Sequence, residues 1–388
     1  MRPDNPFSPS FGISPPVLAG RQDVLNSFGT VFDSIRSPSY ATLLWGLRGT
    51  GKTVLLNEIE NRCREQGWMV VSAVVVGRSG LVEQIAYKIS RLLAALRHEH
   101  TPTPKRAVTG VSVLGVGIQT ERVPVVDPTE RATIDLEDTL AALGDFLAER
   151  NTGLLVTIDE LHASETSEIR QFGNIFQLVS RRAQRPVAFV GAALPELENR
   201  LISGDASTFL QRCRRHEITN LRPSEAATAL RQPIELAGGR IEDDALNVAV
   251  DASMGQPYLV QLIGSYMWDD TEDLTRGVTL EEVRRAVADA SEQFGVHVHG
   301  PVWHQLSDLD RKFLVSMLID SATSAVADIG ARWGHNTRSL STYRKRLLTA
   351  GLIISVGHGR VAFADPTVRR YVKTQAAKEG IATASAHI

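Results

Sequence analysis

Up to about residue 221 the chain switches repeatedly between two hydrophobic rhythms. Short uninterrupted apolar runs, Thr42–Trp45, Met69–Val76, Leu154–Ile158 and Val187–Val190, with a shorter stretch at Glu217–Thr219, are separated by segments whose apolar residues recur every three or four positions. The runs predict strands, and a run without a polar face suits a strand covered on both sides. The helical rhythm between them predicts crossovers, so the strands should lie parallel in one sheet.

Two regions depart from that alternation. In "VTGVSVLGVGIQTERV" apolar residues alternate with small or polar ones around Gly115 and Gly117, which predicts a β-hairpin inserted at about 107–124 on the edge of the sheet. It reads either as an ordered surface excursion or as a loop that engages a substrate. From Ser224 to about Ser291 the rhythm is helical throughout, as in an all-α lid. Near Pro301 the order becomes helix (Asp308–Leu318), short helix (Val326–Trp333), turn "GHNT", helix (Ser339–Ala350), strand, "GHGR", strand, the layout of a winged helix-turn-helix.

The expected organisation is a proline-rich flexible leader at 1–15, an α/β core at 16–221, a helical lid and linker at 222–299, a winged-helix domain at 300–375 and a disordered tail at 376–388. A chain of 388 residues exceeds what one core supports, which agrees with several domains. Its formal net charge of -2 gives no overall pull toward nucleic acid or acidic lipid, so any basic surface must be local. Cys63 and Cys213 lack the spacing of a metal site or disulfide framework, which suits a reducing cytoplasm. The start of the chain has no apolar signal region, and no segment approaches the ~18 apolar residues that span a bilayer. The reading is a soluble cytoplasmic protein with no membrane partner.

"GLRGTGKT" at 46–53 fits G-x-x-x-x-G-K-[ST], with a strand before it and the helical pattern "TVLLNEIENRCREQG" after it. Glycines at Gly46, Gly49 and Gly51 let main-chain amides, Thr50 and Lys52 included, wrap a phosphate at the positive end of the following helix. Lys52 would reach the β- and γ-phosphates of ATP and the Thr53 hydroxyl would hold Mg²⁺. "LLVTIDELH" at 154–162 supplies the carboxylates such a loop needs. Asp159 is placed to contact Mg²⁺ through water, and Glu160 to orient or deprotonate an attacking water. "DELH" also matches a helicase box through His162, but no second helicase-like domain with its own arginine motif follows.

At these residues the chain resembles an AAA+ ATPase of the origin-recognition, Cdc-type and archaeal-type clade, over about residues 16 to 291. "PVLAGRQDVLNSF" resembles the family's segment along the adenine pocket. "FLQRCRRHEITNL" resembles the stretch that carries an arginine finger, implying that role for Arg212, although Arg212, Arg214 and Arg215 also fit a solvated basic face or a lid contact. "GQPYLVQLIG" resembles a lid motif whose proline packs on the base, implying Pro257. A finger acting in trans implies a homo-oligomer in the ATP state. Two departures stand out: the end of the fourth strand offers Gly191, Ala192 and Ala193 where the family keeps a polar sensor, and the lid helix lacks the usual arginine. Both imply slow turnover.

In "RWGHNTRSLSTYRKRLLTAGLI", Leu340, Tyr343, Leu347 and Leu348 form an inward face, while Arg338, Ser339, Thr342, Lys345 and Arg346 fall largely elsewhere. Arg338, Ser339, Thr342, Arg344 and Lys345 are the candidate contacts to duplex DNA, with Arg360 in the "VGHGR" wing. A winged helix also serves as a protein-contact module. The reading is therefore a slow, nucleotide-controlled ATPase switch that engages DNA. A STAND-like signalling ATPase that uses the winged helix for protein contacts, and a transposition or phage-type ATPase adaptor that coats DNA and recruits a protein partner, share the same motifs.

Overall fold

A computed structural model describes residues 4–10, 13–34, 36–75, 80–99, 128–182, 185–195, 197, 208–333 and 337–381. Five parallel strands, β1 (Ala41–Trp45), β2 (Met69–Val74), β3 (Leu154–Asp159), β4 (Val187–Ala193) and β5 (Arg214–Glu217), form one sheet in the order β2-β3-β4-β1-β5. Successive residues enter opposite layers, as strand geometry requires. Leu43 and Val156 join a core with Phe172 and Phe189, whereas Leu44 and Leu155 join another with Leu25, Phe28, Leu55 and Ile59. This is the three-layer αβα core that the uninterrupted apolar runs predict.

One layer is organised around rings: Phe172 and Phe189 lie 5.3 Å apart by centroid, as do Phe176 and Phe209. Truncating any of these buried rings to alanine should cost about 3–5 kcal/mol. The opposite layer contains the helix Lys52–Glu65, so burial of Leu55 and Ile59 fixes the helix whose first residue is the P-loop lysine.

The fifth strand begins three residues earlier than the apolar signal at Glu217–Thr219 suggests. Arg214 to Glu217 pair with Thr42 to Trp45, and β5 is an edge whose residues are mostly exposed, so its backbone is bonded while its side chains stay polar. Ile218 is the buried residue that follows it. The hairpin expected at about 107–124 lies outside the described residues.

The lid consists of helices Pro223–Leu236, Asp243–Ser253, Pro257–Asp270 and Leu280–Phe294 around Met267 and Trp268. The leader, expected to be flexible, packs on it. Phe7 is 4% exposed, and its ring fills the space a side chain at Gly264 would take, with an added Cβ only 2.3 Å from the ring. Asn5 donates to the Ser265 carbonyl, and Ser8 donates its amide to the Gln261 side chain.

Lid and C-terminal domain are joined without a break. Helix continues from Leu280 through one widened π turn, Gly295–His299, into Gly300–Gln305, so the boundary expected at 299/300 falls inside a helix. Pro301 lacks a donor, and in the widened turn Gly300 donates back to Gly295, a common way to pass a proline without breaking the rod.

Beyond it, helices Asp308–Met317, Val326–Trp333 and Thr337–Thr349 pack with β6 (Ser324–Ala325), β7 (Ile353–Ser355) and β8 (Arg360–Phe363), an antiparallel sheet ordered β6-β8-β7. This is a winged helix-turn-helix layout. A further helix, Pro366–Glu379, covers it, capped by the Asp365 side chain accepting from the Thr367 and Val368 amides. That helix takes in residues 376–379 of the expected disordered tail, and Trp303 donates its indole hydrogen to Glu379 at 2.8 Å.

Candidate nucleotide-binding site

The P-loop follows β1, and its shape rests on close backbone approaches. A Cβ on Gly46 would lie 2.1 Å from the Ile218 carbonyl, so only glycine lets the loop leave the sheet there. Gly49 (φ +77) and Gly51 (φ +88) occupy the left-handed region that favours glycine, and Gly51 opens the helix Lys52–Glu65. The resulting concavity faces a helix N-terminus, where unbonded main-chain amides and the helix dipole favour an anion.

Lys52 is buried and donates to the Gly46 and Leu47 carbonyls at 2.8 and 2.7 Å, holding its ammonium over the loop. Thr53 donates its hydroxyl to Asp159 Oδ2 at 2.7 Å, although the two residues are 106 positions apart. The other oxygen, Oδ1, accepts the Glu160 amide at 2.8 Å. Glu160 itself has left-handed backbone at φ 54, an uncommon state for a non-glycine residue outside functional sites. Its carboxyl lies above the usual range, raised by burial and then by the Asp159 charge, against the pull of Arg48 and Lys52.

The cradle, the buried ammonium and the hydroxyl–carboxylate pair fit a triphosphate with a divalent cation. They border a cleft of about 460 Å³ whose walls come from four parts of the chain. The core contributes Lys52, Thr53 and Glu160, the leader Ser10 and Ile13, the lid Pro257 and Tyr258, and the connecting π turn His297 and Val298. Pro257 starts its lid helix 3.9 Å from where a Cβ on Gly51 would stand, so the structure brings it to the loop. Gly46, Gly49, Thr50 and Gly51 fall where the spacing of the motif puts them.

The other expected residues are not gathered there. Arg212 is exposed outside the lining of that cleft, just before β5, and donates to Gln177. On the winged helix, Thr342 and Lys345 are exposed, Arg344 donates to the Ser355 hydroxyl on β7, and Arg360 to the Thr323 hydroxyl beside β6. The Arg338 and Ser339 side chains lie outside the described residues. Arg346, read as part of an outer basic face, pairs instead with buried Asp310 at 2.8 Å.

Three participants have no role at this site in the sequence reading. Arg21 is buried and donates to the Thr50 and Thr219 carbonyls, tying the segment before β1 to the P-loop, with its guanidinium lowered by burial against the raising charge of Glu225. Gln256, one residue before Pro257, donates to the Arg48 carbonyl, and its buried Oε1 has no hydrogen-bond partner. His162 contacts Glu160. Arg21 and Gln256 stand inside the quoted motifs, where the neighbouring residues drew attention first.

Residues 17–190 match the family model described as "AAA ATPase domain", and residues 296–372 match one described as "Domain of unknown function (DUF8462)". No curated protein matches the chain in sequence. Among solved structures, the ORC2 protein of Aeropyrum pernix in its ADPNP–ADP complexes is similar at 15% identity and TM-score 0.59, covering 96% of this chain and 98% of that one. A Walker-type ATPase of Pyrococcus abyssi is similar at 14% identity and TM-score 0.59, covering 92% of this chain and 96% of that one. At such identities the likeness concerns the fold, and the sequence match concerns the ATPase domain. Residues 17–190, which carry the P-loop and the Thr53–Asp159 pair, are thus an AAA ATPase domain, and the chain as a whole has the overall fold of archaeal ORC2.

Proposed function

We propose that this chain is a slow ATPase switch in the cytoplasm, which binds ATP with Mg²⁺ in the cleft and uses the nucleotide to set the position of a DNA-engaging winged helix. The observation that carries this reading is the composition of the cleft wall: core, leader, lid and connector all line it, so a bound nucleotide would bias each of them.

The loop amides and Lys52 would bind the β- and γ-phosphates. Mg²⁺ on Thr53 and Asp159 would neutralise charge between those phosphates. Glu160 orients a water and draws its proton as the water oxygen bonds the γ-phosphorus and the bond to ADP breaks. Its raised carboxyl suits a base. Gly191, Ala192 and Ala193 at the end of β4 offer no polar side chain, and the lid helix opens without an arginine, which supports slow turnover. Steady-state rates of tens per second by the isolated protein would contradict it.

Arg212 at the surface is available to a neighbouring molecule, which supports an ATP-dependent homo-oligomer. Duplex DNA would meet the winged helix through Arg338, Ser339, Thr342, Arg344, Lys345 and Arg360. Such contacts release counterions, so binding should weaken steeply with salt, and Arg344→Ala with Lys345→Ala should flatten the slope.

One observation favours a second reading. Leu47 of the P-loop packs into the winged-helix core and Arg48 lies against Gly351, so the winged helix sits on the phosphate loop, as in a switch held closed by protein contacts. Binding of a protein partner without salt-dependent DNA binding would select it.

A further inference from the structure

His162 is the residue of "DELH" that ATP binding leaves unexplained. It lies in the short turn Leu161–Ala163 after β3, with only 13% of its side chain exposed. Its Nε2 is 3.3 Å from Glu160 Oε2. Its Nδ1 is 3.4 Å from the main-chain nitrogen of Leu194, the residue that follows β4. A main-chain N–H can only donate, so Nδ1 is the acceptor and the ring proton sits on Nε2. In that tautomer the Nε2–H of the neutral ring faces the Glu160 carboxylate, 3.3 Å away.

The ring therefore joins the carboxylate to the end of β4. That strand end carries Gly191, Ala192 and Ala193, where no side chain can hydrogen-bond a water or a carboxylate. Gly191 is also closed to larger replacements, because a Cβ there would lie 2.8 Å from the Phe189 ring. The adjacent turn brings one polar side chain, His162, to that strand end.

We propose that His162 is the positioning residue for Glu160, fixing Oε2 so that Oε1 is left to hold the attacking water. The proposal rests on the reading of Glu160 as the water-orienting base. The Leu194 contact is long, as such bonds often are before substrate is bound.

The test is a double-mutant cycle on the full chain, with His162→Ala, Glu160→Gln and the pair, reading single-turnover ATP hydrolysis, Mg-ATP affinity by calorimetry and thermal unfolding. His162→Ala should lower the hydrolysis rate about 10- to 100-fold while affinity and unfolding temperature stay near wild type. In the Glu160→Gln background the same change should add nothing. His162→Gln, which can accept from Leu194 and donate to Glu160, should recover part of the loss, and it serves as the readout should the alanine variant fail to fold. Hydrolysis at or above the wild-type rate in His162→Ala, or an equal loss in the Glu160→Gln background, overturns the proposal while leaving Glu160 as the base. Wild-type hydrolysis in Glu160→Gln overturns the reading of Glu160 and this proposal with it.

Discussion

Gln256, in the lid, donates its side-chain amide to the main-chain carbonyl of Arg48 in the P-loop at 3.2 Å. A Cβ on Gly49 would meet that amide at 2.7 Å and would sit on a backbone at φ +77, so a side chain there would push Gln256 aside and strain the loop. Gln256→Ala leaves the Arg48 carbonyl without this donor and frees the loop. A net hydrogen bond of about 1 kcal/mol corresponds to roughly five-fold weaker Mg-ATP binding, measured by calorimetry. Unchanged affinity would show that the contact does not transmit lid position to the loop.

The leader offers a second test. Phe7 packs on Gly264 within the lid core, and residues just after it line the cleft. Phe7→Ala should destabilise the lid by up to about 3 kcal/mol and weaken nucleotide binding, seen as a lower unfolding temperature and a weaker calorimetric fit. A variant with wild-type values for both would mean that the leader only rests on the surface.

Much of this was legible in the sequence where the chemistry dictates spacing, and obscure where partners are distant. The P-loop tolerates few residue types at few positions, so it announces itself, and Asp159 follows from the need for a carboxylate at a strand end. Phe7 gave no signal because its partner is a glycine on a helix some 260 positions away, the separation of neighbouring Asn5 and Ser265. The strand Arg214–Glu217 was hidden because an edge strand is recognised by backbone pairing, which four polar residues do not reveal. Pro301 reads as a helix boundary, yet the widened turn before it absorbs the missing donor.

Acid should destabilise the junction between lid and winged helix. His299 is buried between Phe294 and Tyr371 with Nε2 2.9 Å from the Thr367 hydroxyl, and burial holds its ring below the ordinary 6.5 although Asp365 pulls it upward. The unfolded chain therefore binds a proton that the folded chain resists, so stability is present above 6.5 and is lost as pH falls below it. Between about pH 7.5 and about pH 5.5 the unfolding temperature of wild type should drop more than that of His299→Gln, which keeps the hydrogen bond without the titration. Equal drops would remove His299 as a source of acid sensitivity.

Both cysteines are free thiols in the interior, and burial first, with the Glu60 charge second and Arg64 opposing, pushes Cys63 up to about 12. A thiol reacts as the thiolate, so Cys63 should resist alkylation near neutral pH until the core opens. Mass spectrometry after brief iodoacetamide treatment should find no label on native protein and label on both cysteines in guanidinium. Rapid labelling of Cys63 in the folded state would contradict its burial with Ile59 and Leu155 in the core.

The central claim is that this loop, with Lys52, Thr53 and Asp159, holds ATP and magnesium. Titrating the full-length protein with Mg-ATP in a calorimeter tests it most directly. The account predicts a saturable heat that vanishes in Lys52→Ala while the variant unfolds at the wild-type temperature. A folded wild-type protein that shows no heat with ATP and magnesium would contradict it.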